Sequence, residues 1–384
     1  ESVMLFSSLT FLFIFLPTVI GVYYILPMKA KNIWLLLSSL FFYFYGEPKY
    51  LILMLAVITV SYIFGLITEK STGKSRKAAL TASVMINLSA LIFFKYTDFF
   101  LKSINTVFGT NIGLLSIALP IGISFFTFQT MSYIIDLYRE EVETEHNYFT
   151  YLTYVSMFPQ LVAGPIVRFS DINAELHKRT LLRSEIEAGL LRFMQGLFKK
   201  VLIANQVGAL WEELRIIEAS QISVTMAWIG AVCFTLQLYF DFSAYSDMAI
   251  GMGWMLGFHF NENFNYPLSS ISVTDFWRRW HISLSTWFRD YVYIPLGGNR
   301  CSTLKQIRNI LTVWFLTGFW HGANWNFILW GLYFFVLLAA ERLFLGKLLD
   351  KLPRAIGHIW TLLCVVFSFY IFVFDGSLPT LSGT

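Results

Sequence analysis

Long apolar runs without charged residues set the narrowest limit on what this chain can fold into. The runs at 5–26, 50–68 and 78–94 contain no Asp, Glu, Lys or Arg, and neither does the run at 356–374. A helix that crosses a bilayer needs about 20 mostly apolar residues. The runs do not alternate apolar and polar residues, as the strands of a membrane barrel would. The sequence therefore predicts an all-α, polytopic membrane protein.

The composition agrees with a chain whose solvent is lipid. Of its 384 residues, 56% are hydrophobic and 14% are charged, against about 45–50% and about 25% in a soluble domain. These values exclude a disordered chain, a coiled coil, an ordinary cytosolic enzyme and a nucleic-acid-binding module, so no nucleic-acid partner is expected. The three cysteines, Cys233, Cys301 and Cys364, form no CxxC pair and indicate neither a disulfide framework nor a metal site.

The apolar pattern predicts about ten or eleven transmembrane or re-entrant helices in one membrane domain over 4–384. Pro120 and Gly122 interrupt one long run, and Gly318 and Gly322 interrupt another. A further segment, 184–206, has apolar residues at helical spacing between cations. It predicts an amphipathic helix at the cytosolic face or, equally, a linker helix packed on the bundle. The predicted elements are 5–26, 32–46, 50–68, 78–94, 103–135, 147–167, 219–240, 248–258, 309–340 and 356–374.

The basic residues predict the orientation. The loop at 27–32 contains Lys29 and Lys31, and the loop at 69–77 contains four cations against one acid. The positive-inside rule places both loops in the cytosol and the N-terminus outside the cell. Two later basic segments, 168–200 and 275–308, fall on the same side in this arrangement. Residues 1–3 precede Met4 and are expected to be a remnant of expression.

His321 is the sharpest candidate for a functional group. It lies inside a long apolar run, between Gly318 and Gly322 and between Trp320 and Trp325. Ionisable residues at membrane depth are costly and tend to be functional. Histidine titrates near neutrality and is suited to act as a base. The alternative is a structural histidine that is hydrogen-bonded to a neighbouring helix.

A second histidine, His281, lies in an aromatic and basic segment that is too charged to span a membrane. Its arginines could bind phosphate groups, since guanidinium matches phosphate geometry. The simpler interpretation of each arginine is cytosolic charge beside an aromatic belt. The candidate donor-binding residues are Trp280, Arg278, Arg279, Arg289 and Tyr293 of this segment, together with Asn324.

Asp241 and Asp247 interrupt an otherwise apolar pair of predicted helices. They could bind a cation, relay protons or cap the second helix, where a carboxylate is stabilised near the helix N-terminus. We favour a structural role for both.

Several long strings of this sequence are distinctive: FPQLVAGPIVRF, QLYFDFSAYSDMAIGMG, NFNYP, FWRRWHISLSTWFRDYVYIPLGGNR and WFLTGFWHGANWNFILWG. They resemble the membrane-bound O-acyltransferase superfamily, and most closely its bacterial alginate O-acetylase branch. The same branch is resembled by the opening MLFSSLTFLFIFLP and by the string PIGISFFTFQTMSYIIDLYR. The resemblance runs from Met4 to about Phe374.

The resemblance implies a helical bundle around a funnel or tunnel in a bacterial cytoplasmic membrane. It implies that His321 matches the catalytic histidine of the family and His281 its second characteristic histidine. It further implies O-acetylation of an extracytoplasmic polysaccharide, often completed by a secreted or periplasmic partner of the SGNH type. Many members of the branch continue beyond the last span, so a C-terminal part of the family fold is expected to be missing.

The chemistry of acyl transfer fits these residues. His321 could be a general base or could carry the acyl group covalently. Asn324, Trp280 or a helix N-terminus could stabilise the oxyanion. Acetyl-CoA is the expected donor substrate, with no permanently bound cofactor. The alternatives are D-alanyl transfer from a carrier protein to a cell-wall polymer, a transporter, and a non-catalytic scaffold.

Overall fold

The computed structural model describes residues 4–218 and 221–373, and every regular element in those ranges is a helix. The all-α prediction is confirmed for this part of the chain. Residues 219 and 374, the predicted ends of two helices, and residues 1–3 lie outside the described ranges. Contacts divide the chain into two units, Glu1–Leu197 with Tyr245–Asn261, and Phe198–Ala244 with Glu262–Thr384.

The first unit has an aromatic core built from its N-terminal helices. A π-helical turn, Phe11–Phe15, leads into the first α-helix, and Phe6, Phe11, Phe42 and Phe158 pack together. The α-helices are α1 Leu16–Ile25, α2 Met28–Gly46, α3 Leu51–Lys70, α4 Gly73–Phe108, α5 Ile123–Tyr138, α6 Tyr148–Ser156, α7 Phe158–Leu161, α8 Phe169–His177 and α9 Arg183–Phe198.

The second unit has a smaller core that is rich in tryptophan. Trp277, Trp314, Trp330 and Phe334 pack on one another, and Trp280 packs on Phe369. The α-helices that begin in this unit are α10 Asn205–Arg215, α11 Val224–Leu256, α12 Val273–Arg279, α13 Ile282–Phe288, α14 Thr303–His321, α15 Trp325–Ala340, α16 Gly346–Leu349 and α17 Arg354–Val373.

Five helices of the described residues are long and apolar enough to cross a membrane. A membrane protein with several spans is therefore confirmed, but the predicted count of ten or eleven is not. Some predicted elements are shorter than a bilayer requires. The five are Leu51–Lys70, Gly73–Phe108, Val224–Leu256, Trp325–Leu349 and Arg354–Val373.

The predicted break at Pro120 and Gly122 is present. Gly122 has φ +76° and precedes the first residue of α5. A Cβ at this position would lie 2.6 Å from the carbonyl oxygen of Leu161. Glycine is therefore required both for the left-handed backbone and for the close approach.

The predicted span 147–167 is wrong as one helix. The structure forms α6 and α7 instead, and α7 begins at Phe158 with Pro159 in its first turn. Proline has no N–H and ends a preceding helix. The side chain of Ser39 accepts a hydrogen bond of 3.0 Å from the Phe158 N–H, which fixes the chain at this break.

The predicted helices 219–240 and 248–258 form the single helix α11. Both acidic residues that suggested a break are ion-paired: Asp241 with Lys200 at 2.7 Å and Asp247 with Arg192 at 2.7 Å. Paired charges can remain inside a long apolar helix. The favoured structural role of both aspartates agrees with these pairs, and the helix-capping alternative for Asp247 is wrong.

The predicted amphipathic segment 184–206 is helical, as α9 followed by a π-helical turn, Lys199–Ala204. Its cations contact polar groups of α11, and Lys199 donates to the Ser243 hydroxyl at 3.0 Å. Its exposed side chains include Leu190, Leu191 and Met194. An exposed apolar face fits contact with lipid, and the position at the cytosolic surface stays a prediction.

Candidate active site

The candidate site is built on the hairpin of α14 and α15, which pack more closely than side chains normally permit. A Cβ on Gly318 would overlap the carbonyl oxygen of Phe327, and one on Gly331 would overlap the carbonyl oxygen of Trp314. The helix therefore continues through Gly318, and the predicted break occurs only at Gly322. Glycine at 318 and 331 lets the two backbones meet.

His321 is the last residue of α14 and is half-buried. Its ring centroid lies 4.8 Å from that of Trp320, 4.9 Å from that of Trp330 and 5.3 Å from that of Phe372. Trp325, which was expected to flank it, is 58% exposed. His321 therefore lies at the end of the helix that favours positive charge.

His281 lies in the turn between α12 and α13 and is 2% exposed. Its backbone has φ +43°, a left-handed conformation that is rare for a residue with a side chain. Nδ1 lies 3.1 Å from Oδ1 of Asn263, and Nε2 is buried without a hydrogen-bond partner among the described residues. Burial lowers the pKa of His281 to about 3, so its ring is neutral at physiological pH.

Trp320 brings the two histidines into one site. Its ring centroid lies 6.1 Å from that of His281 and 4.8 Å from that of His321. The ring of Phe242 of α11 packs edge-on against the ring of His281, with 4.7 Å between their centroids. The two predicted histidines therefore pack against the same tryptophan, although 39 residues separate them along the chain. The group of aromatic side chains around the two histidines is called the chamber below.

A cavity of about 930 Å³ lies beside this chamber, within the second unit. Buried aromatic side chains, among them Trp277 and Trp314, form part of its wall. Thr317 also lines it and lies one helical turn before His321 on α14. Trp277 contacts Trp330 at 5.6 Å, and Trp330 contacts His321. The wall of the cavity is thus continuous with the histidine site.

The exposed side of this cavity is positively charged. Its lining contains five cations, all exposed, and two acids, Glu341 and Asp350. Arg289 is paired with Asp290 at 2.6 Å. Guanidinium and ammonium groups beside an apolar pocket suit a ligand with an anionic head and an apolar tail. The five cations are Arg278, Arg289, Arg342, Lys347 and Arg354.

Three of the sequence-predicted donor residues line the cavity: Arg278, Arg289 and Tyr293. Three others do not. Arg279 is ion-paired with Asp275 at 2.9 Å, and Trp280 is buried between Phe264 and Phe369. The side chain of Asn324 caps α15 and accepts a hydrogen bond of 2.7 Å from Trp325 N–H.

Glu341 is a residue of this cavity that sequence reasoning missed. Its carboxylate accepts hydrogen bonds from Val273 N at 2.7 Å, Thr274 N at 2.8 Å and Thr274 Oγ1 at 2.6 Å. It thereby caps the N-terminus of α12, the helix that carries Trp277 and Arg278. The only signal in the sequence is an acid directly after the apolar run that ends at Ala340.

The sequence is similar to one protein family and to several bacterial proteins. The model of the membrane-bound O-acyltransferase family matches residues 125–384. The probable alginate O-acetylase AlgI of Azotobacter vinelandii is 43% identical over 375 residues, 96% of this chain and 75% of that protein. The peptidoglycan O-acetyltransferase of Helicobacter pylori is 39% identical, over 88% of this chain and 71% of that protein. The teichoic acid D-alanyltransferase of Bacillus subtilis is 28% identical, over 66% of this chain and 67% of that protein.

Proposed function

The chain belongs to the membrane-bound O-acyltransferase family and is an O-acetyltransferase, and we propose that it moves an acetyl group from acetyl-CoA toward hydroxyl groups of an extracytoplasmic polysaccharide. One observation carries the proposal. His321 lies one helical turn from the wall of a cavity that is apolar inside and cationic at its exposed side. A thioester with an anionic nucleotide head fits that polarity.

The donor binds in the cavity with its phosphates beside Arg278, Lys347 and Arg354. Arginine and lysine stabilise phosphate oxygens by charge-assisted hydrogen bonds. The acyl end then lies among Trp277, Trp314 and Thr317, next to the histidine chamber. Basic segments orient toward the cytosol, so this cavity opens to the compartment that contains acetyl-CoA.

His321 takes the proton from the acceptor hydroxyl while its oxygen attacks the thioester carbonyl. The carbon–sulfur bond breaks, and the thiolate leaves with the proton returned from the imidazolium. A covalent acyl-histidine is the second route that this geometry supports. Because Asn324 caps α15, oxyanion stabilisation falls to other donors of the chamber.

The similarity to relatives favours acetyl over D-alanyl as the group that this protein transfers. Those named as O-acetylases or O-acetyltransferases are 39–44% identical to this chain, and those named as D-alanyltransferases 28–29%. In this proposal, the protein lies in a bacterial cytoplasmic membrane with its N-terminus outside. A secreted or periplasmic SGNH-type acetyltransferase completes the transfer to the polymer.

Radiolabelled acetyl-CoA given to the purified protein in sealed proteoliposomes tests this proposal. We expect release of free CoA outside and acetyl ester on a polysaccharide or on the partner inside, for protein oriented with the cavity outward. A transporter would instead move label across the bilayer without forming an ester, and that result would contradict the proposal. A scaffold would give neither product.

A further inference from the structure

Asn263 lies in the loop between α11 and α12 and is completely buried. The loop is paired with the turn that contains His281: Ile282 N–H donates to Asn263 O at 2.9 Å, and Asn265 N–H donates to Arg279 O at 2.9 Å. These two bonds enclose the left-handed backbone of His281. A strained residue held this way in the interior is often part of a functional site.

The contacts of Asn263 determine which of its side-chain atoms faces His281. Ser283 N–H and the Ser283 hydroxyl approach Oδ1 at 3.3 Å and 2.9 Å. A backbone N–H can only donate, so the atom that it meets must be the amide oxygen. The same oxygen lies 3.1 Å from Nδ1 of His281. Because that oxygen can only accept, Nδ1 must carry the hydrogen.

The tautomer leaves the lone pair of the neutral ring on Nε2. That nitrogen is buried and has no partner among the described residues, which costs free energy unless a ligand satisfies it. Trp320, which contacts both histidines, and Phe242 pack against the ring. The ring that carries this acceptor therefore packs on Trp320, the side chain that also contacts His321.

We propose that Asn263 is a positioning residue that locks His281 in the Nδ1–H tautomer, so that Nε2 accepts a hydrogen bond from an O–H or N–H group of a bound substrate. The inference rests on the proposed acyl transfer for its consequence, but not for its geometry. His281 does not take the proton in this account. It orients either the hydroxyl of the acceptor or an amide of the thioester arm, while His321 remains the base.

The electrostatics around His281 agree with an acceptor that stays neutral. Burial is the cause of its lowered pKa. Along the chain, the charged or titratable groups nearest to its contact residues are Asp241, which is paired with Lys200, Glu262, His321, and Arg279, which is paired with Asp275. Asp247, Arg278, Lys305 and Arg308 lie farther along the same helices. A carboxylate in place of the Asn263 amide would place a negative charge directly against Nδ1 and favour the imidazolium.

Two substitutions of Asn263 separate the role of its oxygen from that of its bulk. Asn263→Leu keeps the volume but removes the acceptor, so we expect acetyl transfer from radiolabelled acetyl-CoA to fall about 10- to 100-fold. Asn263→Asp keeps the acceptor and adds charge. We expect its rate at pH 6, relative to pH 8, to fall by about tenfold compared with the wild-type ratio. Asn265→Leu and Asn265→Asp, at an exposed position of the same loop, are matched controls that should leave both values unchanged.

The substrate that meets Nε2 is identified by titrating acetyl-CoA against Asn263→Leu. Weaker binding of acetyl-CoA assigns the contact to the thioester arm, and unchanged binding with a lower rate assigns it to the acceptor hydroxyl. If Asn263→Leu and Asn265→Leu behave alike, or if the pH profile of Asn263→Asp matches that of wild type, the positioning role is wrong.

A direct observation covers the case of a variant that does not fold. Nitrogen NMR of the histidine-labelled wild-type protein, with His281→Gln to assign the signal, reports the tautomer without any need for activity. We expect the Nδ1–H form, and the Nε2–H form would overturn the inference. Wild-type protein that transfers no acetyl group but shows the Nδ1–H tautomer would contradict the proposed function alone.

Discussion

Gly318 of α14 and Gly331 of α15 face each other with no room for a Cβ at either position. The approach of these backbones places Trp314 and Trp330 in one cluster and His321 at its edge. A chain with larger residues at 318 and 331 could not build this hairpin at the same distance. These two glycines therefore determine the position of the candidate base.

Replacing Gly331 by Ala should separate the helices. Its Cβ would overlap the carbonyl oxygen of Trp314, and forced expansion of a packed interior costs about 1–3 kcal/mol. We expect a lower Tm in detergent and a loss of acetyl transfer. Gly21→Ala is the matched control, because no atom lies within 4 Å of its added Cβ. A Gly331→Ala variant with wild-type Tm would contradict this packing.

Replacing Glu341 by Ala should weaken the cap of α12. Three donors of Val273 and Thr274 lose their carboxylate, and loss of a helix cap costs about 0.5–2 kcal/mol. Since α12 carries Trp277 and Arg278, we expect the KM for acetyl-CoA to rise several-fold along with a lower Tm. Glu341→Gln should lose less, because it retains one acceptor oxygen. A KM that does not change in a destabilised Glu341→Ala protein would show that the cap does not organise the cavity.

Replacing Arg278 or Lys347 by Ala should weaken binding of an anionic donor. Both are exposed cations of the cavity lining, where one ion pair with a phosphate contributes about 0.2–1 kcal/mol. We expect the KM for acetyl-CoA to rise a few-fold in each variant and further in the double variant, with a smaller effect at high salt. Arg300→Ala is the control, since Arg300 is exposed in the same basic segment but does not line the cavity. Equal effects of Arg300→Ala would mean that only net charge matters.

His259 should make the stability of the first unit depend on pH. Burial lowers its pKa, but hydrogen bonding and charge from Glu175 at 2.6 Å and Glu185 at 3.3 Å outweigh burial and raise it above the ordinary value. A raised pKa in the folded state adds stability at low pH, and that contribution is lost as pH rises through the folded pKa. We expect the Tm difference between wild type and His259→Gln to be largest near pH 6 and to shrink toward alkaline pH. A difference that grows with pH would contradict the charge assignment.

The sequence predicted the parts of the fold that depend on local chemistry. Gly122 and Gly322 mark real breaks because each allows a backbone or a contact that other residues do not. The apolar runs also gave the helical class. His321 was found because it is an ionisable group where few belong. His281 was found through its aromatic, basic segment and through the resemblance to the family.

The errors came from partners that are distant in the sequence. Asp241 and Asp247 looked like a break in a helix because Lys200 and Arg192, which neutralise them, are more than 40 residues away. The span at 147–167 failed because the broken backbone at Phe158 is satisfied by Ser39 of another helix. No local pattern shows such pairs.

Only some of the residues predicted to bind the donor line the cavity, and the reason is geometric. Arg278 and Arg279 are adjacent on α12 and therefore point to different sides of the helix. Arg278 lines the cavity, whereas Arg279 pairs with Asp275 one turn earlier. The cations Lys347 and Arg354 belong to later elements that only the fold brings to the same cavity.

The central claim is that His321 performs the acyl transfer, and the rate of acetyl transfer by His321→Gln tests it most directly. The measurement is the initial rate of ester formation from radiolabelled acetyl-CoA by the variant protein. The variant must have the same Tm as wild type, which shows that it is folded. Loss of the base predicts a fall of about 100-fold or more, while His146→Gln, at an exposed histidine, should keep the wild-type rate. A folded His321→Gln protein that transfers acetyl groups within a few-fold of wild type would contradict the account.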